Sequence, residues 1–314
     1  MPDRVLITGG TSFLGAYLTE DILASTDWDI YSIERLPSHP DPRGVFAFSG
    51  RVKRRYHDYL SPLSDQMMRE LEGVRYVFHL GAEVGSARSV NDPRYSITSS
   101  VMGTANMLEI ARYLNPELFV YVSSADVLGP CPWPVSLPEN APLRPTSPYA
   151  SGKAAGEALV NAYSNSYGIR CAIVRSANMF GVRQGTDRFV PMVVRGILNG
   201  QRITCHVGVD GRAVSRHWLW ARHFSESLLG IVRGGYTGVY HSVGPEKSTI
   251  EIVASVAASL GRGMMISEKV VDNSHESRYS LVDTKLRASF DQDFEQRLSE
   301  TVLWYAENRE WLDA

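Results

Sequence analysis

A doubly wound parallel α/β sheet, followed by a smaller C-terminal α/β lobe, is the fold class this sequence predicts. Three observations carry the prediction. Short β-branched runs alternate with stretches of helical spacing through the N-terminal half. Those runs are almost wholly apolar, as strands covered on both faces must be. The first of them ends in a glycine-rich turn that opens a helix, the form of a phosphate-binding βα unit. With 314 residues, 44% of them hydrophobic, the chain can bury one large core and a smaller one.

Arg4–Thr8 (RVLIT) is the first strand, and residues 13–23 have the spacing of a helix. Gly9, Gly10 and Gly15 between them permit a tight turn and close helix–strand packing. Their N–H groups, with the helix N-terminus, would face a pyrophosphate. Ser12 stands where such turns carry their middle glycine. Its Cβ crowds the phosphates, whereas its hydroxyl can donate to one. The second strand, 29–33, ends at Glu34, roughly 20 residues beyond the turn, where a carboxylate would accept both ribose hydroxyls of an adenosine. That favours NAD; Arg35 beside it keeps a 2′-phosphate, and so NADP, open. Asp58, after the Tyr-His pair that closes a third strand, is a lesser candidate for the adenine edge.

The fourth strand, 75–80 (RYVFHL), opens into Gly81, Ala82 and Glu83, and small residues there let a cofactor lie against the backbone. A helix over 99–113 follows, then a fifth strand, 118–123 (LFVYVS), running out in Ser124-Ala125-Asp126. Pro-rich sequence leads to TSPYASGKAAGE, in which Ser147 and Pro148 read as helix N-cap and first helical residue. Tyr149 and Lys153 then lie one turn apart on one face. An ammonium beside a phenol favours the phenolate, so Tyr149 is a candidate acid/base near neutral pH. The sixth strand is 170–175 (RCAIVR). After Asn178 the elements shorten, and an Arg/His/Trp-rich patch at 212–223 marks the smaller lobe, expected over the carboxyl ends of the strands.

The bulk numbers exclude several classes. The formal charge is −2 with both signs interspersed, so no nucleic-acid partner is expected. No apolar run reaches membrane-spanning length, and MPDRVLITGG enters a strand without a leader, so a cytoplasmic protein is expected. Cys131, Cys171 and Cys205 are odd in number and widely spaced. They have no metal-ligand pattern and read as thiols in a reducing compartment.

The glycine turn, the serine after strand five and Tyr149-x-x-x-Lys153, in that order, resemble the extended short-chain dehydrogenase/reductases. Within them the finer likeness is to nucleotide-sugar epimerases and dehydratases with a Rossmann-like domain. Thr8-Gly-Gly-Thr-Ser-Phe-Leu-Gly15 is similar to TGGxGFIG, and His79-Leu-Gly-Ala-Glu83 to HLAAE. Val101-Met-Gly-Thr104 is similar to NVxGT, RSANMFG at 175–181 to RxxNxYG, Arg216-His-Trp-Leu-Trp220 to RDWLY, and Arg278-Tyr-Ser-Leu-Val-Asp283 to RYAID. The likeness covers nearly the whole chain. It implies a dinucleotide domain over 1–178, with later returns of the chain, and a nucleotide-sugar lobe mainly over 179–314. It also implies cofactor contacts from Gly9, Ser12, Phe13, Leu14, Gly15, Glu34, Asp58, Leu80, Gly81 and Ala82. Ser124 and Tyr149 would bond a sugar hydroxyl, and Lys153 would hold the nicotinamide ribose and lower the Tyr149 pKa. Tyr149 would take the hydroxyl proton as hydride leaves the same carbon, usually C4. Glu83, Asn178, Arg188, Arg216 and Arg278 would line the substrate side, the arginines suited to diphosphate oxygens. A homodimer through the helix after Ser99 and the Tyr149 helix is a further implication.

The departures set the expected activity. Dehydratases of this kind follow the strand-five Thr/Ser with Asp and Glu, an acid and a base for eliminating water; here those places hold Ala125 and Asp126. Ala125 has no proton to give. A 4-epimerase needs only oxidation, rotation of the keto-sugar and hydride return, so 4-epimerisation is favoured. A 4,6-dehydratase with an altered acid/base pair, an NADPH-dependent keto-sugar reductase and a non-catalytic nucleotide-sugar-binding protein are the alternatives. Asp126 stands as a sugar ligand, a base at C5 or a turn cap. Ser100 for Asn, His217 for Asp and Ala177 for Asn imply an altered sugar pocket.

Overall fold

The computed structural model describes residues 2–35, 49–82, 86–271, 278–286, 290 and 292–313. In chain order the elements are β1 (Arg4–Thr8), α1 (Phe13–Ser25), β2 (Asp29–Glu34), β3 (Val52–Tyr56), α2 (Asp65–Glu70), β4 (Val74–His79), α3 (Ser86–Asn91), α4 (Pro93–Leu114) and β5 (Leu118–Ser124). A 3₁₀ turn at Ala125–Leu128 precedes α5 (Pro148–Tyr167), β6 (Cys171–Ser176), β7 (Asn178–Phe180), α6 (Phe189–Leu198), β8 (Ile203–Gly208), β9 (Ser215–Trp220) and α7 (Ala221–Gly234). Then come β10 (Gly238–Ser242), β11 (Glu246–Ser248), α8 (Thr249–Ser259), β12 (Ile266–Val271), β13 (Arg278–Tyr279), α9 (Phe294–Glu307) and α10 (Arg309–Asp313).

Two compact units emerge, and both are discontinuous in sequence. The first comprises Met1–Val127, Pro142–Arg175 and Ser225–Tyr240; the second takes Leu128–Ala141, Ser176–Phe224 and His241–Ala314. One crossing, after Arg175, lies three residues from the boundary expected at 178.

The first unit is built on a seven-stranded sheet of order β10-β6-β5-β4-β1-β2-β3. The pairs β3–β2, β2–β1, β1–β4 and β4–β5 are all parallel. The order reverses at β1, so the topological switch point, where open α/β sheets take their ligands, lies at the carboxyl ends of β1 and β4. There Thr8 and His79 are cross-strand partners. The expected apolar runs are buried for the reason foreseen: Val5, Leu6 and Ile7 of β1 and Phe119, Val120 and Tyr121 of β5 are fully enclosed between helical layers. The strand absent from the sequence reading is β10. It extends the sheet beyond β6 after the chain has passed through the second unit.

The second unit has its own core, in which Val193, Val194 and Ile197 of α6 meet Val253 and Val256 of α8 and Leu298, Val302 and Tyr305 of α9. Its strands form two small sheets, β11-β9-β13 with β7 added on β9, and the parallel pair β12-β8. Ser248 and Glu251 close a reciprocal capping box at the start of α8.

Candidate active site

In the first unit the glycine turn is set by atoms that exclude side chains. A Cβ on Gly15 would lie 2.0 Å from the Gly9 carbonyl oxygen, so only glycine lets α1 start this close to β1. Gly9 has φ +73°, the left-handed region. Ser12 is the α1 N-cap, its Oγ accepting from the Gly15 N–H at 3.2 Å. A hydroxyl that accepts through a lone pair keeps its proton to donate, so Ser12 can serve both the helix and a ligand oxygen. Phe13 and Leu14 open α1 behind it.

Glu34 ends β2 and is buried against this turn. Its Oε1 accepts from the Thr11 N–H at 3.0 Å and from the Ser32 hydroxyl, and its Oε2 accepts from the Thr11 hydroxyl at 2.7 Å. Burial pushes the Glu34 carboxyl pKa up, against the pull of those hydrogen bonds and of Arg54. Asp58 is placed differently. Its exposed carboxylate accepts from the Leu60 N–H at 3.1 Å and caps the turn after β3.

The end of β4 is organised by a buried polar chain. Thr8 Oγ1 accepts from Leu80 N–H at 3.1 Å and Gly81 N–H at 2.8 Å, which occupies its lone pairs. Its proton therefore goes to His79 Nδ1, 2.8 Å away. His79 then carries its proton on Nε2, facing Thr104 Oγ1 at 3.2 Å, and Thr104 donates to Ser100 O at 2.6 Å. Complete burial, with the Lys153 charge assisting, holds the imidazole neutral, its pKa pushed down to about 3. Gly81 is enclosed so tightly that a Cβ would meet the Tyr59 ring at 2.9 Å and Thr8 Oγ1 at 3.0 Å. Ala82 follows it; Glu83 lies outside the described residues.

At the end of β5, Ser124 is buried and its Oγ accepts from the Asp126 N–H at 3.2 Å, again keeping its proton to donate. The next residue, Ala125, is buried and offers no proton; Asp126 is half-buried in the 3₁₀ turn. Ser147 caps α5 through the Ala150 N–H, with Pro148 in the first turn, as the sequence predicts. Tyr149 is half-buried and Lys153 only 3% exposed. The Lys153 ammonium donates to Val122 O at 2.7 Å and lies 5.0 Å from the Tyr121 ring centre. Burial pushes its pKa down to about 8, partly opposed by the Glu157 carboxylate one turn further along α5.

Sequence reasoning missed what lies beneath. Glu157, 2% exposed, is held by Arg175, 4% exposed, through Nε–Oε1 at 2.9 Å and Nη2–Oε2 at 2.8 Å. Ser123 donates to the same carboxylate at 2.6 Å. The fork joins α5 to β6 one helical turn beyond Lys153. The available signal was the i, i+4 spacing of Lys153 and Glu157. Tyr59, whose hydroxyl meets Ser99 Oγ at 3.0 Å and whose ring fills the space above Gly103, left no comparable trace.

In the second unit the substrate-side candidates divide. Asn178 is exposed on β7 and pairs Trp218. Arg188 stands at the α6 N-cap, its Nε 3.6 Å from Asp187, and Arg216 lies 4.3 Å over the Tyr279 ring. Both are half-buried. Arg278 is the most enclosed of the three arginines. It is 7% exposed, and its Nε and Nη2 clasp Glu246 at 2.6 and 2.7 Å while Nη1 faces the Pro132 and Val135 carbonyls. The Arg278–Glu246 pair ties β13 to β11. His217 joins the same polar cluster, with Nδ1 on Gly244 O at 2.6 Å and Nε2 on Ser280 Oγ at 3.1 Å.

Among the described residues no cluster of three or more His, Cys, Asp or Glu could hold a metal ion, and no helix is long and apolar enough to cross a membrane. The three cysteines are buried and unpaired with one another.

Comparison with known proteins places this geometry. A family model described as the NAD dependent epimerase/dehydratase family matches residues 5–234. The dTDP-glucose 4,6-dehydratase of Streptomyces niveus is 28% identical, covering 98% of this chain and 94% of its own. Among solved structures, the dTDP-glucose 4,6-dehydratase from Streptomyces venezuelae with NAD and TYD bound is 28% identical at a TM-score of 0.85, covering 98% of each chain. The UDP-N-acetylglucosamine 4-epimerase from Methanobrevibacter ruminantium M1 shares the fold, with a TM-score of 0.87 at 21% identity over 98% of this chain and 100% of that one.

Proposed function

Because the chain belongs to the NAD dependent epimerase/dehydratase family, we propose that it is an enzyme that binds NAD and a nucleotide-diphosphate sugar, oxidises the sugar at C4 and returns it as the C4 epimer. The residues present fit the dinucleotide. The Gly9–Gly15 turn leaves a cradle that a Cβ would fill, Ser12 has a hydroxyl proton to give, Glu34 offers an acceptor, and Gly81 keeps the end of β4 bare. When bound, NAD supplies the acceptor and later the donor of a hydride.

The chain's own residues handle the proton. Ser124 donates to the C4 oxygen, and Tyr149 takes the hydroxyl proton as the carbonyl forms. The Lys153 ammonium, on the same face of α5, stabilises the phenolate that does so. Return of the proton from Tyr149 to the keto oxygen, after the sugar has turned, completes the cycle. We assign Arg188, Arg216 and Asn178 to the diphosphate side of the substrate, and Arg278 to holding the turn that carries Trp133.

The observation that favours epimerisation over dehydration is Ala125, which stands where an eliminating enzyme needs a proton donor. A second reading, a 4,6-dehydratase using Asp126 as its base, is supported by the curated relatives of that name, 24–28% identical over nearly the whole chain. Incubating the protein with UDP-, dTDP-, GDP- and CDP-hexoses and following products by NMR separates them. A C4 epimer supports the first reading; a 4-keto-6-deoxy product supports the second. Stoichiometric consumption of NADPH would instead indicate a reductase. For the assembly we assign a homodimer on α4 and α5, where Ile97, Met102, Tyr113 and Tyr167 are exposed.

A further inference from the structure

The Glu34 carboxylate has about four acceptor positions, two per oxygen, and among the described residues three of them are filled. Oε1 is saturated by the Thr11 N–H and the Ser32 hydroxyl; Oε2 takes the Thr11 hydroxyl and retains one position. The side chain cannot easily turn to free another. It is 3% exposed, and the backbone of Gly10 lies against it so closely that a Cβ there would be 3.2 Å from Oε1. The Gly9 N–H also bonds Ile33 O at 2.9 Å, and the His57 N–H bonds Glu34 O at 2.8 Å, so turn, β2 and β3 meet at this residue.

We propose that Thr11 and Ser32 are positioning residues that fix Glu34 as a single-acceptor site, which takes one ribose hydroxyl of NAD and turns NADP away. This rests on the reading that Glu34 faces the adenosine ribose, and it revises the expectation that both hydroxyls bond there. Two physical reasons connect the hydroxyls to selectivity. Burial favours the neutral acid, and the hydrogen bonds from Ser32 and Thr11 are the leading influences that oppose it. A carboxylate kept charged repels a 2′-phosphate, whereas a neutral carboxyl could donate to one. The bonds also select one rotamer of the Glu34 side chain. Arg54, paired with Ser32 across β2–β3, is the nearby cation that an ungated site would offer to a phosphate.

The test is direct binding of NADH and NADPH, read by nucleotide fluorescence, to the wild type, Thr11→Val, Ser32→Ala, the double variant, Thr11→Ser and Glu34→Gln. Thr11→Val and Ser32→Ala each remove one hydroxyl while nearly keeping shape. Each should weaken NADH by about fivefold to tenfold. The double variant should lose at least about tenfold of the wild-type preference for NADH over NADPH, while Thr11→Ser keeps it. A double variant with native circular dichroism and an unchanged NADH:NADPH ratio overturns the inference. If Glu34→Gln shifts the ratio but the hydroxyl variants do not, only the positioning role falls. If Glu34→Gln changes neither affinity, the ribose reading falls with it.

Discussion

Replacing Lys153 with methionine should make the protein less sensitive to pH while removing its catalysis. The Lys153 ammonium is buried with its pKa lowered from 10.5 to about 8. A folded pKa below the unfolded one means that the unfolded chain binds the proton first as pH falls through 10.5. Stability is then lost until the folded state also protonates, near pH 8. At about 1.36 kcal/mol per pKa unit, the deficit below pH 8 is about 3 kcal/mol. Methionine keeps the stem and removes the charge. Against that, Val122 O loses its 2.7 Å donor, which costs about 1–3 kcal/mol. At pH 7 the variant should therefore be as stable as the wild type or up to about 2 kcal/mol more so. The wild type should gain about 2 kcal/mol on the variant between pH 7 and pH 9.5. Urea unfolding of both proteins, without nucleotide, at four pH values across that range reads the difference directly. A stability difference that stays flat with pH would show that Lys153 is not the desolvated group described here.

His79, with its pKa near 3, is protonated in the unfolded chain but not in the folded one between pH 6.5 and 3. It should contribute about 5 kcal/mol of stability that is lost on acidification through that window; comparing acid unfolding of the wild type with His79→Phe tests this. Glu157→Gln leaves the Arg175 charge buried without its partner and should destabilise by about 3–5 kcal/mol, measured by denaturant midpoint. In Gly156→Ala a Cβ would lie 2.1 Å from the Tyr121 hydroxyl, an overpacking that should cost about 1–3 kcal/mol and lower the melting temperature.

The first six strands of the large sheet, the α1 glycine turn and the α5 N-cap were all legible in the sequence. Each rests on local chemistry: β-branched runs, glycines at a strand end, a Ser-Pro pair before a helix. β10 was not, because its pairing beside β6 is decided by a chain segment some sixty residues away, with no local pattern to announce it. The same division runs through the site. Tyr149, Lys153 and Ser124 are candidates that spacing and motif order bring forward. Thr11, 23 residues before Glu34, and Arg175, 18 residues after Glu157, reach these carboxylates only once the chain has folded, and Ser32 reaches Glu34 from two residues away on β2 itself. Arg278 likewise has a partner that its motif does not announce: Glu246, 32 residues earlier in the chain, clasps its guanidinium.

The central claim is that Tyr149 and Lys153 support a reversible oxidation at C4, and that Ala125 stops the chain from eliminating water. A nucleotide hexose deuterated at C4, turned over in ordinary water and in D₂O, tests both parts by NMR. The account predicts a C4 epimer that keeps its deuterium at C4, takes none from solvent at C5, and is not formed by Tyr149→Phe. Solvent deuterium at C5, loss of label from C4, or full turnover by Tyr149→Phe would contradict it.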